Sequence, residues 1–161
     1  MRLSGRLVLA LCACTVLVGA GARAARAQSL YDPGADAPAA IDSALARARA
    51  DHKLVLLDLG ADWCLDCVVL DRFFHDPAIS TYLAAHYHVV RIDIGRFDRN
   101  LDLDGQYGHP IEGGVPAAVV LTPRGKVLVA TRNGALESAR SMSSMEVMRL
   151  LQDWVSLAAG T

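Results

Sequence analysis

Cys64 and Cys67 stand two residues apart in GADWCLDCVVL (60–70), directly after the apolar run KLVLLDLG (53–60). Two thiols at this spacing are compatible with reversible disulfide exchange, half of a metal site, or an inert structural bridge. Cys64 follows a strand and a short turn, which places it at a helix N-terminus. Unpaired N–H groups and the helix dipole favour a thiolate there. Cys67, three residues on, lies about one turn away on the same face and within bonding reach. Cys64 is then the exposed attacking thiol and Cys67 the buried one that resolves a mixed disulfide. A metal site needs further ligands. His52, His75, His86, His88 and His109 are available, but none is spaced to complete a site with the cysteines, so no metal is expected. A bridge across so short a loop constrains the unfolded chain little, which weakens the inert reading. The expectation is a redox-active Cys64–Cys67 disulfide with no other cofactor.

The neighbours of the pair bear on the direction of electron flow. Asp62 and Asp66 flank Cys64, and Leu65-Asp66 between the cysteines contains neither lysine nor histidine. Nearby carboxylates disfavour a thiolate and offset the helix terminus. A less stabilised thiolate makes the dithiol a better reductant, so Asp62, Leu65 and Asp66 are expected to tune the pair toward the reducing side. Asp58 is the other anomaly, a carboxylate in the middle of an apolar strand.

The elements that must hold these residues follow from periodicity. AAIDSALARARADH (39–52) spaces Ile41, Leu45 and Ala48 as an amphipathic helix, and 53–60 has the length of a buried strand. A helix is predicted from Cys64 to Phe74, and a second from Pro77, capped by Asp76. HVVRIDI (88–94) alternates as a strand. Residues 95–114 form a long polar stretch with a short helix around 101–107, in which Tyr107, His109 and Glu112 are read as solvated loop. VPAAVVLT, the PRGK turn (123–126) and VLVATR predict a hairpin, and SSMEVMRLLQDWVSLA (143–158) a closing helix. Strand, helices, strand, then hairpin and helix imply a right-handed β-α-β crossover in an α/β fold.

The N-terminus has the form of a secretory signal peptide. Arg2 and Arg6 precede LVLALCACTVLVGAGA, and small residues end at Ala25-Arg26-Ala27, giving a leader of residues 1–27. The apolar run falls short of the ~20 residues that cross a bilayer. Removing 27 of the 161 residues leaves 134, enough for one domain with a real core. The leader contains four of the 16 basic residues and none of the 17 acidic ones, so the net charge becomes 12 − 17 = −5. A mildly acidic, unpatterned surface argues against nucleic acid or an anionic membrane as partner. Cys12 and Cys14 leave with the leader, so Cys64 and Cys67 are the remaining thiols. Residues 28–38, QSLYDPGADAP, are rich in turn formers and predict a tether or N-terminal arm before a domain spanning 39–158.

VLLDLGADWCLDC followed by GGVPAAVVL resembles the thioredoxin family: strand, W-C-x-x-C, helix, then a V-P step into a hairpin. ADWCLDCVVLDRFFHDPAI is similar to exported W-C-x-x-C thiol–disulfide oxidoreductases of the type of the DsbD C-terminal domain. The resemblance implies a three-layer α/β/α fold around a central mixed sheet of about four strands. It implies that Trp63 shields the pair and offers an apolar substrate contact. Pro116 is then a cis proline facing the disulfide, and the Val115 backbone pairs with an extended substrate segment. Asp58, six residues before Cys64, matches a buried carboxylate that deprotonates the resolving cysteine. Burial raises such a group toward neutrality and fits it for proton transfer. The chain departs from ordinary thioredoxins at Leu65-Asp66, at Val68 in place of a usual lysine, and in lacking a kinking proline in the helix.

The function expected is an exported thiol–disulfide oxidoreductase, periplasmic or otherwise extracytoplasmic. It would act as a monomer on disulfide-containing client proteins, supplied with electrons by a membrane thiol donor. A copper or zinc metallochaperone using Cys64 and Cys67 is one alternative. A non-catalytic binding module using the Trp63/Pro116 face is the other.

Overall fold

The computed structural model describes residues 29–160; the predicted signal peptide, residues 1–27, lies outside the described residues. Helix α1 (Ala37–Asp51) starts two residues before the predicted position 39. Asp36 caps it by accepting from the Ala39 N–H, and Pro38 sits in the first turn, where a missing N–H has no consequence. Strand β1 (Leu54–Gly60) is buried throughout. It leads through a short turn into α2 (Leu65–Phe74) and α3 (Pro77–His86), the latter capped by Asp76 as predicted.

Strand β2 (Tyr87–Asp93) returns parallel to β1, with Asp58 opposite Arg91. The predicted short helix is α4 (Leu101–Gln106), followed by a 3-10 turn over Pro110–Gly113. The hairpin is β3 (Ala117–Leu121) and β4 (Val127–Ala130), antiparallel to one another, with β3 also antiparallel to β1. A second 3-10 turn, Ala139–Ser141, precedes α5 (Ser144–Ala159), whose start carries a capping box between Ser143 and Glu146.

The four strands lie in the order β2-β1-β3-β4, the mixed sheet that the resemblance implied. One face of β1, through Val55, Leu57 and Leu59, packs with Ile41, Ala44 and Ala48 of α1. The other, through Leu54 and Leu56, packs with Leu70 and Phe74 of α2, Leu83 of α3, and Leu151 and Trp154 of α5. This is a three-layer α/β/α arrangement, and β1, covered on both faces, reads as a near-continuous apolar run for that reason.

Candidate active site

Cys64 is the N-cap of α2, and its Sγ accepts from the Cys67 N–H at 3.1 Å. The two sulfurs are bonded, with the Cα atoms 5.2 Å apart. Strand β1 ends at Gly60, and the turn that follows is closed by the Cys64 N–H donating to the Ala61 carbonyl at 3.0 Å. The Val115–Pro116 peptide is cis, and the Val115 carbonyl oxygen lies 3.5 Å from Cys64 Sγ. The structure therefore brings Cys64, Cys67, Val115 and Pro116 together. It corrects the expectation of an openly exposed Cys64: that residue keeps 5% of its surface, against none for Cys67.

Asp58 is 2% exposed, on the strand β1 that leads into the pair. Burial pushes its carboxyl up to about 7, against the pull of the Tyr31 hydrogen bond and the Arg91 guanidinium; Asp71 adds a smaller upward push. The Tyr31 hydroxyl donates to Oδ1 at 3.0 Å and Oδ2 at 3.1 Å. Tyr31 itself is held far above the ordinary phenol range by burial and then by the Asp58 charge. Gly60 completes the packing. A Cβ there would stand 2.5 Å from the Tyr31 Cζ and Oη and 2.9 Å from Cys67 Sγ. The phenol and the resolving sulfur thus border the same point, and only glycine leaves room for both.

Trp63 is 47% exposed and fixed at one end, its Nε1–H donating to the Gly95 carbonyl at 2.6 Å. The Phe97 ring stands 5.9 Å from it, tilted by 53°. Phe97 has φ 62°, a left-handed conformation seldom adopted by a bulky residue, and it projects an exposed ring beside the tryptophan. A cleft of about 350 Å³ runs between the N-terminal arm and this loop, with Tyr31, Asp62, Trp63, Asp93, Arg96 and Arg99 in its lining.

The redox-tuning residues diverge. Leu65 is exposed, whereas Asp66 is buried and accepts from the Arg140 N–H at 2.8 Å and Nε at 3.0 Å. The Arg140 guanidinium thus forms an ion pair with Asp66 that the sequence does not signal. Asp62 accepts from neutral donors, the Tyr31 N–H and the Ser29 hydroxyl.

The histidines are not gathered at the cysteines. His75, His88 and His109 face Asp71, Asp51 and Asp104 respectively. Among the described residues no group of three or more histidine, cysteine and acidic side chains is placed to hold a metal. Tyr107 is buried in the core rather than solvated. The half-polar loop is ordered because the buried Asp104 carboxylate clasps His109 Nδ1 and the Ile111 N–H.

Tyr31, Phe97 and Arg140 escape a reading of the sequence. Tyr31 belongs to a stretch that resembles a tether, yet residues 29–36 are docked: Asp62 holds Tyr31 and Ser29, and Arg99 donates to the Pro33 carbonyl. A lone aromatic among turn formers is the available signal.

A family model described as thioredoxin-like matches residues 36–123. A 58-residue stretch is 48% identical to thiol:disulfide interchange protein DsbD 1 of Pseudomonas aeruginosa, covering 35% of this chain and 10% of that protein. The match thus spans a small part of that relative's length. The solved structure of a disulphide isomerase from Xylella fastidiosa Temecula1 is 41% identical and superposes with a TM-score of 0.77. That alignment covers 80% of this chain and 98% of the isomerase.

Proposed function

This chain belongs to the thioredoxin-like family, and from that premise we propose that it reduces or exchanges disulfides of extracytoplasmic client proteins through Cys64 and Cys67. The observation that supports this most is the position of Cys64 Sγ, at the N-cap of α2 and 3.5 Å from the Val115 carbonyl. An extended client segment lying along Val115 would present its disulfide to that sulfur. In the reduced protein the Cys64 thiolate attacks one client sulfur, and the other leaves as a thiolate that takes up a proton. Cys67 then gives its proton to Asp58, attacks Cys64 Sγ, closes the disulfide, and releases the second client sulfur as a thiolate that takes up a proton. Two electrons pass to the client, and a thiol donor, proposed to be a membrane carrier, must restore the dithiol.

The redox pair is the sole cofactor proposed, acting in a monomer outside the cytoplasm. Asp62, bonded by neutral donors rather than by a cation, supports the reducing direction; Asp66, paired with Arg140, adds less. The potential, titrated against glutathione or dithiothreitol, should fall on the side of reductants at about −270 mV. A value near the −120 mV or so of a dedicated oxidant would reverse the assignment.

Reduction of insulin disulfides should be lost in Cys64→Ser, and Cys67→Ala should accumulate a client mixed disulfide. Turnover that survives Cys64→Ser, or an empty Cys67→Ala trap, would remove the exchange mechanism. Tight stoichiometric copper or zinc binding without turnover would point to a metallochaperone instead. Unchanged partner binding in Cys64→Ser/Cys67→Ser would point to a docking module.

A further inference from the structure

We propose that Tyr31, carried by the N-terminal arm, is a positioning residue of the exchange reaction, holding the Asp58 carboxylate as acceptor of the Cys67 proton. The inference rests on the oxidoreductase reading above and adds to it a residue outside the β1–α2 segment that bears the pair. Three observations carry it. The Tyr31 hydroxyl donates to both Asp58 oxygens, at 3.0 and 3.1 Å, from a side chain only 1% exposed. Tyr31 Oη and Cys67 Sγ border the same point above Gly60, so the phenol lies beside the resolving sulfur as well as the carboxylate. The arm is tied to the turn that precedes Cys64, because Asp62 accepts from the Tyr31 N–H at 2.9 Å and from the Ser29 hydroxyl.

Groups on three segments act on Asp58: Tyr31 from the arm, Arg91 from β2 and Asp71 from α2. Arg91 donates through Nη2 to Asp71, so much of its charge is balanced locally. The phenol is the direct donor to the carboxylate. It remains protonated across the working pH range because burial and Asp58 oppose its ionisation. A permanent donor stabilises the ionised carboxylate, the form that takes a proton from Cys67. The step is balanced: Cys67 S–H loses its proton, Asp58 gains it, and the Cys67 sulfur displaces the client sulfur from Cys64. Tyr31 donates throughout and is not consumed.

The test follows release of a chromogenic aromatic thiol from its mixed disulfide with Cys64, by stopped flow across pH 5–9. The rate in the unmodified protein should rise with a midpoint near neutrality. Tyr31→Phe keeps the ring and removes only the donor. Loss of a hydrogen bond to a charged group should move the midpoint up by about one to two pH units, with release at pH 7 slower by about tenfold. Asp58→Asn should be slow at all pH values, and Tyr31→Phe should add nothing to it, because the phenol acts through Asp58. An unmoved midpoint in Tyr31→Phe, or additive losses in the double variant, would overturn the assignment. Infrared titration of the Asp58 carboxyl provides the same comparison without turnover, and an unshifted Asp58 in folded Tyr31→Phe would also overturn it. Failure of the unmodified protein to release thiol at all would strike the oxidoreductase reading rather than this one.

Discussion

The Asp58→Asn substitution isolates the free energy of keeping a carboxyl group inside the sheet. The native carboxyl is raised from 3.8 to about 7, chiefly by burial, whereas in the unfolded chain it titrates near its ordinary value. Between those values the native state holds a proton that the unfolded state has lost, so stability falls as pH rises. Below about pH 4 the group is protonated in both states and the stability is fully present; above pH 7 it is ionised in both and the loss is complete. Three pKa units at about 1.4 kcal/mol each give a total of about 4 kcal/mol, most of a single domain's margin when that margin is small. Roughly 3 kcal/mol of it falls between pH 5 and pH 8.

The amide introduced by Asp58→Asn does not titrate, so the stability difference between variant and parent should move in the variant's favour by that amount over this interval. Urea unfolding of the oxidised proteins at half-unit steps measures it, and the subtraction cancels titrations common to both. A difference that stays flat from pH 5 to pH 8 would show Asp58 ionised throughout, and would refute both the burial argument and its fitness as a proton acceptor. The same substitution should slow Cys67-dependent thiol release, so stability and turnover should change in opposite directions.

Three further outcomes are expected. Gly60→Ala forces a Cβ to within 2.5 Å of the Tyr31 ring and 2.9 Å of Cys67 Sγ, so it should destabilise by about 1–3 kcal/mol in urea unfolding; a neutral effect would mean the arm can lift away freely. Arg140→Ala removes the cation from Asp66, and the restored negative field should make the disulfide more reducing by about 10–20 mV against glutathione; a shift toward oxidising values would contradict the charge argument. Ser143→Ala removes the cap of α5 and should lower stability by about 1 kcal/mol, while leaving the potential unchanged.

Local pattern made much of this molecule legible. The apolar run 53–60 has the length of a covered strand, and Cys64, following it through a turn, is placed at a helix N-terminus. The Asp76-Pro77 and Ser143 starts carried their caps in the sequence. The cis Val115-Pro116 peptide and the buried Asp58 were expected from the resemblance to the thioredoxin family rather than from local pattern. Tyr31 and Arg140 carry no such signal. Tyr31 reaches Asp58 across 27 positions from a stretch with no helical or alternating period, and Arg140 reaches Asp66 across 74. Burial, against the pull of Tyr31 and Arg91, raises the Asp58 carboxyl toward neutrality, and an ion pair from a distant loop offsets Asp66. The sequence by itself determined which side chains could react. The tertiary structure decided their proton affinities and charges, because both depend on what is packed against a group rather than on what precedes it in the chain.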